Sequence, residues 1–133
     1  MSNLPTPPKK AIIYEDEKVY VCLASYPITE GHSIVVWKEK TEDINDLSCR
    51  AYEYLLDIVD VTREALTKAL NVQKVYLAYL DEVNEVHWHL VPRYNKKGFE
   101  VFLNKADELK DFSLVKKIQP IFQGVFKRHL NDF

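Results

Sequence analysis

Short apolar runs rich in β-branched and aromatic residues open the foldable part of the chain, with one charged break between them. Ile12, Ile13 and Tyr14 precede the tetrapeptide Glu15-Asp16-Glu17-Lys18, and VYVCL follows at residues 19–23. Such side chains suit a half-buried pleated surface, so the two runs predict a hairpin of antiparallel strands. A third strand is expected at Ser33-Ile34-Val35-Val36-Trp37, entered through Gly31, a residue that tolerates turn conformations. From Ser48 the period changes. Ala51, Leu55, Ile58, Val59, Thr62, Leu66 and Ala69 recur three and four residues apart with charged positions between them, the spacing of an amphipathic helix. Ser48 is placed to cap its start and Asn71 to end it.

Residues 75–80 (VYLAYL) and 86–91 (VHWHLV) predict a fourth and a fifth strand, antiparallel across the polar turn Asp81-Glu82-Val83-Asn84, with Pro92 stopping the fifth. Beyond Arg93 come a charged stretch, an isolated apolar run at 99–103, and a second helix from about Ser113 with Leu114, Ile118, Ile121, Phe122, Val125 and Phe126 on one side. Pro120 and Gly124 are expected to kink or break that helix. The order of strands, long helix, strands and helix defines an α+β fold on a five-stranded antiparallel sheet.

Composition narrows the class of protein. A chain of 133 residues, 47% hydrophobic, has the size and apolar content of one domain with its own core. Three of the first eight residues are proline, so 1–10 is expected to be a flexible arm and 11–133 the single domain. The 18 basic and 20 acidic residues nearly cancel, which argues against a general nucleic-acid surface. No apolar run approaches the ~18 residues of a membrane span, and the first residues lack the apolar centre of a signal peptide, so a cytoplasmic protein without membrane partners is expected. Cys22 and Cys49 belong to no Cys-x-x-Cys pair and read as reduced thiols.

The fifth strand holds the candidate chemistry. Alternation sends Glu85, His87, His89 and Val91 to one face, and Val86, Trp88, Leu90 and Pro92 to the other, which should pack under the long helix. Two imidazoles at i and i+2 stand about 7 Å apart along a strand, close enough to engage one phosphate. Taken alone, such a pair fits structural histidines, a metal site or catalysis. His32, after the turn glycine, lies where an antiparallel sheet could bring it to the other two. His129, beside Lys127 and Arg128, reads as a solvated helix end.

These residues resemble the histidine-triad (HIT) superfamily of nucleotide hydrolases and transferases. The resemblance runs from Ile12 to Tyr94. Pro27 to Lys38 (PITEGHSIVVWK) is similar to the family's Pro-x-x-x-Gly-His-x-hydrophobic-hydrophobic-hydrophobic-x-Lys pattern. Val86 to Arg93 (VHWHLVPR) is similar to the last two histidines of its triad and the Pro-Arg that often follows. The resemblance implies a HIT-like fold and cleavage of phosphoanhydride or phosphoramidate bonds at the α-phosphate of nucleotides such as diadenosine polyphosphates. It assigns His87 as the nucleophile that forms a nucleotidyl-histidine intermediate, His89 as the group that holds a phosphate oxygen, and His32 as their support. A neutral imidazole is a competent nucleophile near pH 7, in keeping with that role.

The sequence departs from the pattern at three places. Glu85 stands at the first triad position and is counted with the catalytic set, its carbonyl being able to orient the His87 ring. Ala24 stands where many relatives have an aspartate that holds ribose hydroxyls, leaving Ser25 and Tyr26 as the nearest polar residues. The loop before the triad is cut to residues 81–84, where Asn84 is the one neutral hydrogen-bonding side chain. Asn84, Arg93, Ser25, Ile12, Ile13 and Cys22 are the candidate substrate contacts, core packing being the competing reading for the last three. Lys38 and Arg93 fit either phosphate attraction or salt bridges between strands. No cofactor is expected, although a divalent cation could accompany a polyphosphate substrate, and the family's Cys-x-x-Cys zinc arrangement is missing. A nucleotide substrate and a homodimer are the implied partners. The competing functions are a catalytically weak nucleotide-binding or regulatory module and a small metal-binding protein.

Overall fold

The structure, a computed structural model, describes residues 4–131. Residues 1–3 of the expected arm lie outside the described residues. In the remainder of that arm Leu4 packs against the core, and Lys9–Ala11 form a 3-10 turn that leads into the sheet.

Five strands follow the sequence pattern closely: β1 Ile12–Glu15, β2 Val19–Leu23, β3 Ser33–Trp37, β4 Lys74–Tyr79 and β5 His87–Arg93. They form one antiparallel sheet in the order β1-β2-β3-β5-β4. The β1–β2 hairpin is pinned by Asp16, whose carboxylate accepts from the Lys18 and Val19 amides at 2.7 and 2.9 Å, from the Tyr14 hydroxyl at 2.8 Å and from the Tyr54 hydroxyl. Burial pushes the Asp16 pKa up, but these bonds to its charged form outweigh it and hold the group below the usual carboxylate range.

β5 runs two residues further than its composition suggests, because Pro92 does not stop it. Ser33 opposite Leu90 is the last pair between β3 and β5, whereas β4 continues alongside β5 to Arg93. Pro92 therefore sits where one side of the strand has become an edge, a position that tolerates a missing amide donor.

The long helix α1 spans Cys49–Leu70. The Ser48 side chain accepts from the Ala51 amide, and Asn71 closes the helix in the left-handed region at φ 53°. Its buried stripe includes the expected Leu55, Ile58, Val59, Thr62, Leu66 and Ala69, and adds Val61 and Ala65. The added width comes from the second helix, α2 Leu114–Asn131, which packs against the flank of α1 as well as on β1. Tyr14 of β1 stacks on Phe122 of α2 at 5.0 Å between ring centroids. Contrary to expectation, α2 runs unbroken through Pro120 and Gly124. Its buried row of Val115, Ile118, Phe122 and Val125 anchors it on both sides of the proline. Pro120 and Lys116 are exposed, so water can take the carbonyl that the proline leaves without a donor. The apolar run at 99–103 becomes a 3-10 segment, Gly98–Leu103.

Both helices cover the same face of the sheet. Tyr14, Val21, Val35 and Trp88 are register neighbours on that face, so Cys22, Ile34, His89 and Ala78, one residue along each strand, belong to the other. The predicted division of β5 into an apolar face under the helices and a histidine face away from them holds.

Candidate active site

Three histidines meet at the centre of the sheet. In the β3–β5 ladder Val36 lies opposite His87 and Ile34 opposite His89, while His32 sits one residue ahead of β3 and follows Gly31. Gly31 has φ +82°, and a Cβ there would come within 2.5 Å of a Leu70 methyl carbon at the end of α1. A side chain at 31 would have to displace the Leu70 side chain and would strain a backbone held at positive φ in the turn that carries His32. The ring centroids of His87 and His89 are 5.0 Å apart, and those of His32 and His89 5.2 Å.

Hydrogen-bond partners dictate where each ring carries its proton. The Ile28 amide donates to His32 Nδ1 at 3.2 Å, so that nitrogen holds a lone pair. The neutral ring then bears its proton on Nε2, which lies 3.0 Å from His89 Nδ1 and donates to it. His89 in turn bears its own proton on Nε2. His87 Nδ1 lies 2.8 Å from the Glu85 carbonyl, which can only accept, so the neutral form of the His87 ring carries its proton there and has its lone pair on Nε2. The sheet thus offers one imidazole nitrogen as a nucleophile and a neighbouring one as a donor.

Burial sustains this arrangement. His32 and His87 are each 5% exposed and His89 is half-buried. Burial, with a smaller contribution from His89, holds the His32 pKa down at about 3, and burial followed by His87 holds His89 at about 4. Both rings are neutral at pH 7. In the unfolded chain they would titrate near 6.5, so below that pH the unfolded state binds more protons than the native one. Stability should therefore fall on acidification from pH 6.5 towards pH 4, with a slope approaching 1.4 kcal/mol per pH unit for each ring. Urea unfolding at pH 7.5, 6 and 5 measures this; an unchanged pH slope in His32→Asn and His89→Asn would refute the assignment.

The other candidate residues separate into those near the cluster and those elsewhere. Glu85 gives its carbonyl to His87, whereas its carboxylate pairs with Lys40. The Asn84 side-chain oxygen is buried without a hydrogen-bond partner. Ser25 holds the Leu109 amide with its carbonyl at 2.8 Å, and the neighbouring Ala24 amide donates to the His32 carbonyl. Ile13 and Cys22, each 1% exposed, lie in the core, and burial pushes the Cys22 thiol up to about 12. Ile12 is half-buried and lines a groove with Lys9, Lys10 and Phe112. Arg93, four residues along β5 from His89, donates to the Gln73 side chain at 3.0 Å, and Lys38 pairs with Glu15 at 2.6 Å. The Asp81 carboxylate accepts from the hydroxyl of Tyr79, whose ring packs on Trp88 and so lies on the face opposite the histidines. His129 lies 3.8 Å from Asp57 and 3.7 Å from Asp60 of α1, away from the cluster.

Sequence reasoning missed Lys40 and the Ile28 amide. One is a common surface residue and the other a main-chain group, and neither carries a local signal.

Residues 7–96 match the HIT domain family. A protein of Methanocaldococcus jannaschii described as an uncharacterized HIT-like protein is 30% identical over 115 residues, which cover 83% of this chain and 87% of that one. Among solved structures, a zinc-bound histidine triad family protein from Mycobacterium smegmatis matches with a TM-score of 0.72 at 22% identity, covering 89% of this chain and 87% of the other. Plasmodium falciparum diadenosine triphosphate hydrolase, in complex with cyclomarin A, matches with a TM-score of 0.62 at 16% identity, covering 92% and 81%. At those identities the two structures establish a shared fold. The family match takes in His32, His87 and His89 together with the sheet that aligns them, and the chain belongs to the HIT family.

Proposed function

We propose that the protein is a nucleotide hydrolase or nucleotidyl transferase that opens a phosphoanhydride or phosphoramidate bond at the α-phosphate, with dinucleoside polyphosphates as the leading substrate class. The proton pattern of the three rings carries this reading: a lone pair on His87 Nε2 beside a donor on His89 Nε2 is what attack on a phosphorus and neutralisation of its oxygens require. The diadenosine triphosphate hydrolase activity of the Plasmodium falciparum relative agrees with it.

In this reading His87 Nε2 attacks the α-phosphorus. A P–N bond forms, and the bond to the leaving oxygen or nitrogen breaks with its electron pair going to the leaving group. His89 donates to a phosphate oxygen as charge builds on it, and the chain Ile28–His32–His89 keeps that donor in place. Water or another acceptor then cleaves the P–N bond, releasing the nucleotide and restoring the imidazole. Glu85 contributes through its carbonyl, which fixes the His87 tautomer, and Asn84, in the turn before β5, is kept as a candidate substrate contact. No cofactor enters these steps; a divalent cation would serve only to screen a polyphosphate.

Under the same reading the protein works in the cytoplasm as a homodimer. Among the described residues β4 has β5 on one side and no strand on the other. The exposed Leu77 of β4, Leu80 just past its end, and Phe99, which lines a cavity with Leu77, form an apolar margin at that edge that a second copy would cover. No helix among the described residues is long and apolar enough to cross a membrane.

A screen of diadenosine polyphosphates, nucleoside phosphoramidates and nucleotide sugars tests the function. Turnover of at least one class is expected, together with a protein-bound nucleotide adduct that is labile to acid and stable to base. Binding without adduct or turnover would instead make the protein a nucleotide-binding module.

A further inference from the structure

The turn at residues 27–31 supplies the amide that sets the His32 tautomer, and its own position depends on a distant part of the chain. Asn104 Nδ2 donates to the Ile28 carbonyl at 3.1 Å, and the Tyr94 hydroxyl donates to the Glu30 carbonyl at 2.8 Å. Both donors follow β5, and Asn104 lies just beyond the 3-10 segment. Lys96 Nζ donates to Asn104 Oδ1 at 2.8 Å, which determines the orientation of that amide and leaves its nitrogen for Ile28. Burial, with the nearby Glu30 charge, pushes the Tyr94 hydroxyl up to about 12, so it remains a donor.

We propose that Asn104 and Tyr94 are positioning residues of the histidine cluster: by gripping the carbonyls of Ile28 and Glu30 they hold the Ile28 amide on His32 Nδ1 and thereby keep His89 Nε2 a donor. The functional meaning of this inference rests on the hydrolase or transferase reading, while its geometry does not.

The consequence of losing the grip follows from the chemistry of two linked imidazoles. The Ile28–His32 bond is long at 3.2 Å and closes a turn within four residues, so it depends on the turn being held. If the amide moves away, His32 Nδ1 is free to take the proton, and His32 Nε2 then faces His89 Nδ1 with a lone pair. His89 must respond by carrying its proton on Nδ1, which leaves a lone pair on Nε2. A single change of tautomer at His32 thus turns the phosphate donor into an acceptor that repels a phosphate oxygen.

Nitrogen-15 NMR of the histidine rings reads the tautomers directly, with or without turnover. In the parent, His32 and His89 should both carry the proton on Nε2. Asn104→Asp keeps the size and the acceptor for Lys96 but presents no donor to Ile28, and Tyr94→Phe removes only the hydroxyl. Each should shift His32 towards the Nδ1 proton form and lower kcat about fivefold to tenfold, the loss of one hydrogen bond, with a smaller change in KM. Asn95→Asp, a matched charge change at an exposed residue of the same cavity, should leave both readouts unaltered. Unchanged ring tautomers in Asn104→Asp and Tyr94→Phe would overturn the inference; should Asn104→Asp fail to fold, Tyr94→Phe decides it. If the parent shows the expected tautomers and responses but cleaves no nucleotide, the activity reading fails while the positioning role stands.

Discussion

Replacing His87 by alanine should abolish nucleotide turnover, lowering kcat by on the order of 10⁴-fold or more, and should eliminate the acid-labile adduct altogether. The size of the effect follows from the two-step chemistry: without Nε2 no P–N bond forms, and what remains is background hydrolysis of a bound substrate. The fold should survive, because His87 contributes one hydrogen bond to the Glu85 carbonyl while its strand neighbours Val86 and Leu90 anchor β5 in the core. Urea unfolding of His87→Ala and an adduct assay separate the two outcomes. Glu85→Gln provides the contrast. It breaks the pair with Lys40 but keeps the carbonyl that orients His87, so it should retain most of the turnover. Full activity in His87→Ala would remove His87 as nucleophile, and a Glu85→Gln defect as deep as that of His87→Ala would mean that the carboxylate itself takes part.

The second large effect is expected at His89, where two variants divide the functions of the ring. Asparagine places an acceptor near the position of Nδ1, so His89→Asn can still receive the His32 Nε2 proton, but it offers nothing at the position of Nε2. Glutamine reaches the Nε2 position with a donor amide and gives up the acceptor for His32. A hydrogen bond aimed at charge developing in the transition state contributes about 10²–10³ in kcat, so His89→Asn should lose that much. His89→Gln should recover part of it, with KM changing less than kcat in both. Steady-state kinetics on a substrate found in the screen gives the ordering. If His89→Asn is the more active of the two, the ring acts by supporting His32 rather than by donating to phosphate.

The grip on the Pro27–Gly31 turn shows why the region beyond Arg93 carries no legible function in the sequence. Asn104 is an unremarkable polar residue after an apolar run, and Tyr94 follows a Pro-Arg pair. Their meaning lies in bonds to carbonyls 76 and 64 positions away in the chain. Composition cannot encode such a contact, since any donor of suitable length could make it. Pro92 and Pro120 teach the same lesson in a different form. Local rules make each a stop or a break, yet one lies where a strand has become an edge and the other on an exposed helical face anchored at both ends, so neither interrupts its element.

By itself, the sequence determined the α+β class, the limits of the hairpin and of the long helix with its Ser48 and Asn71 caps, the face that carries His87 and His89, and the family pattern that includes His32. These are local or periodic properties, and burial against a single core enforces them wherever the pattern is strong. Tertiary structure decided which nitrogen of each ring holds a proton, that Glu85 faces Lys40 with its carboxylate and His87 with its carbonyl, and that Cys22 and Ile13 are closed off from solvent. Those properties depend on the identity of the atom at the far end of each hydrogen bond and on the removal of water around it, and both come into being only when distant segments meet.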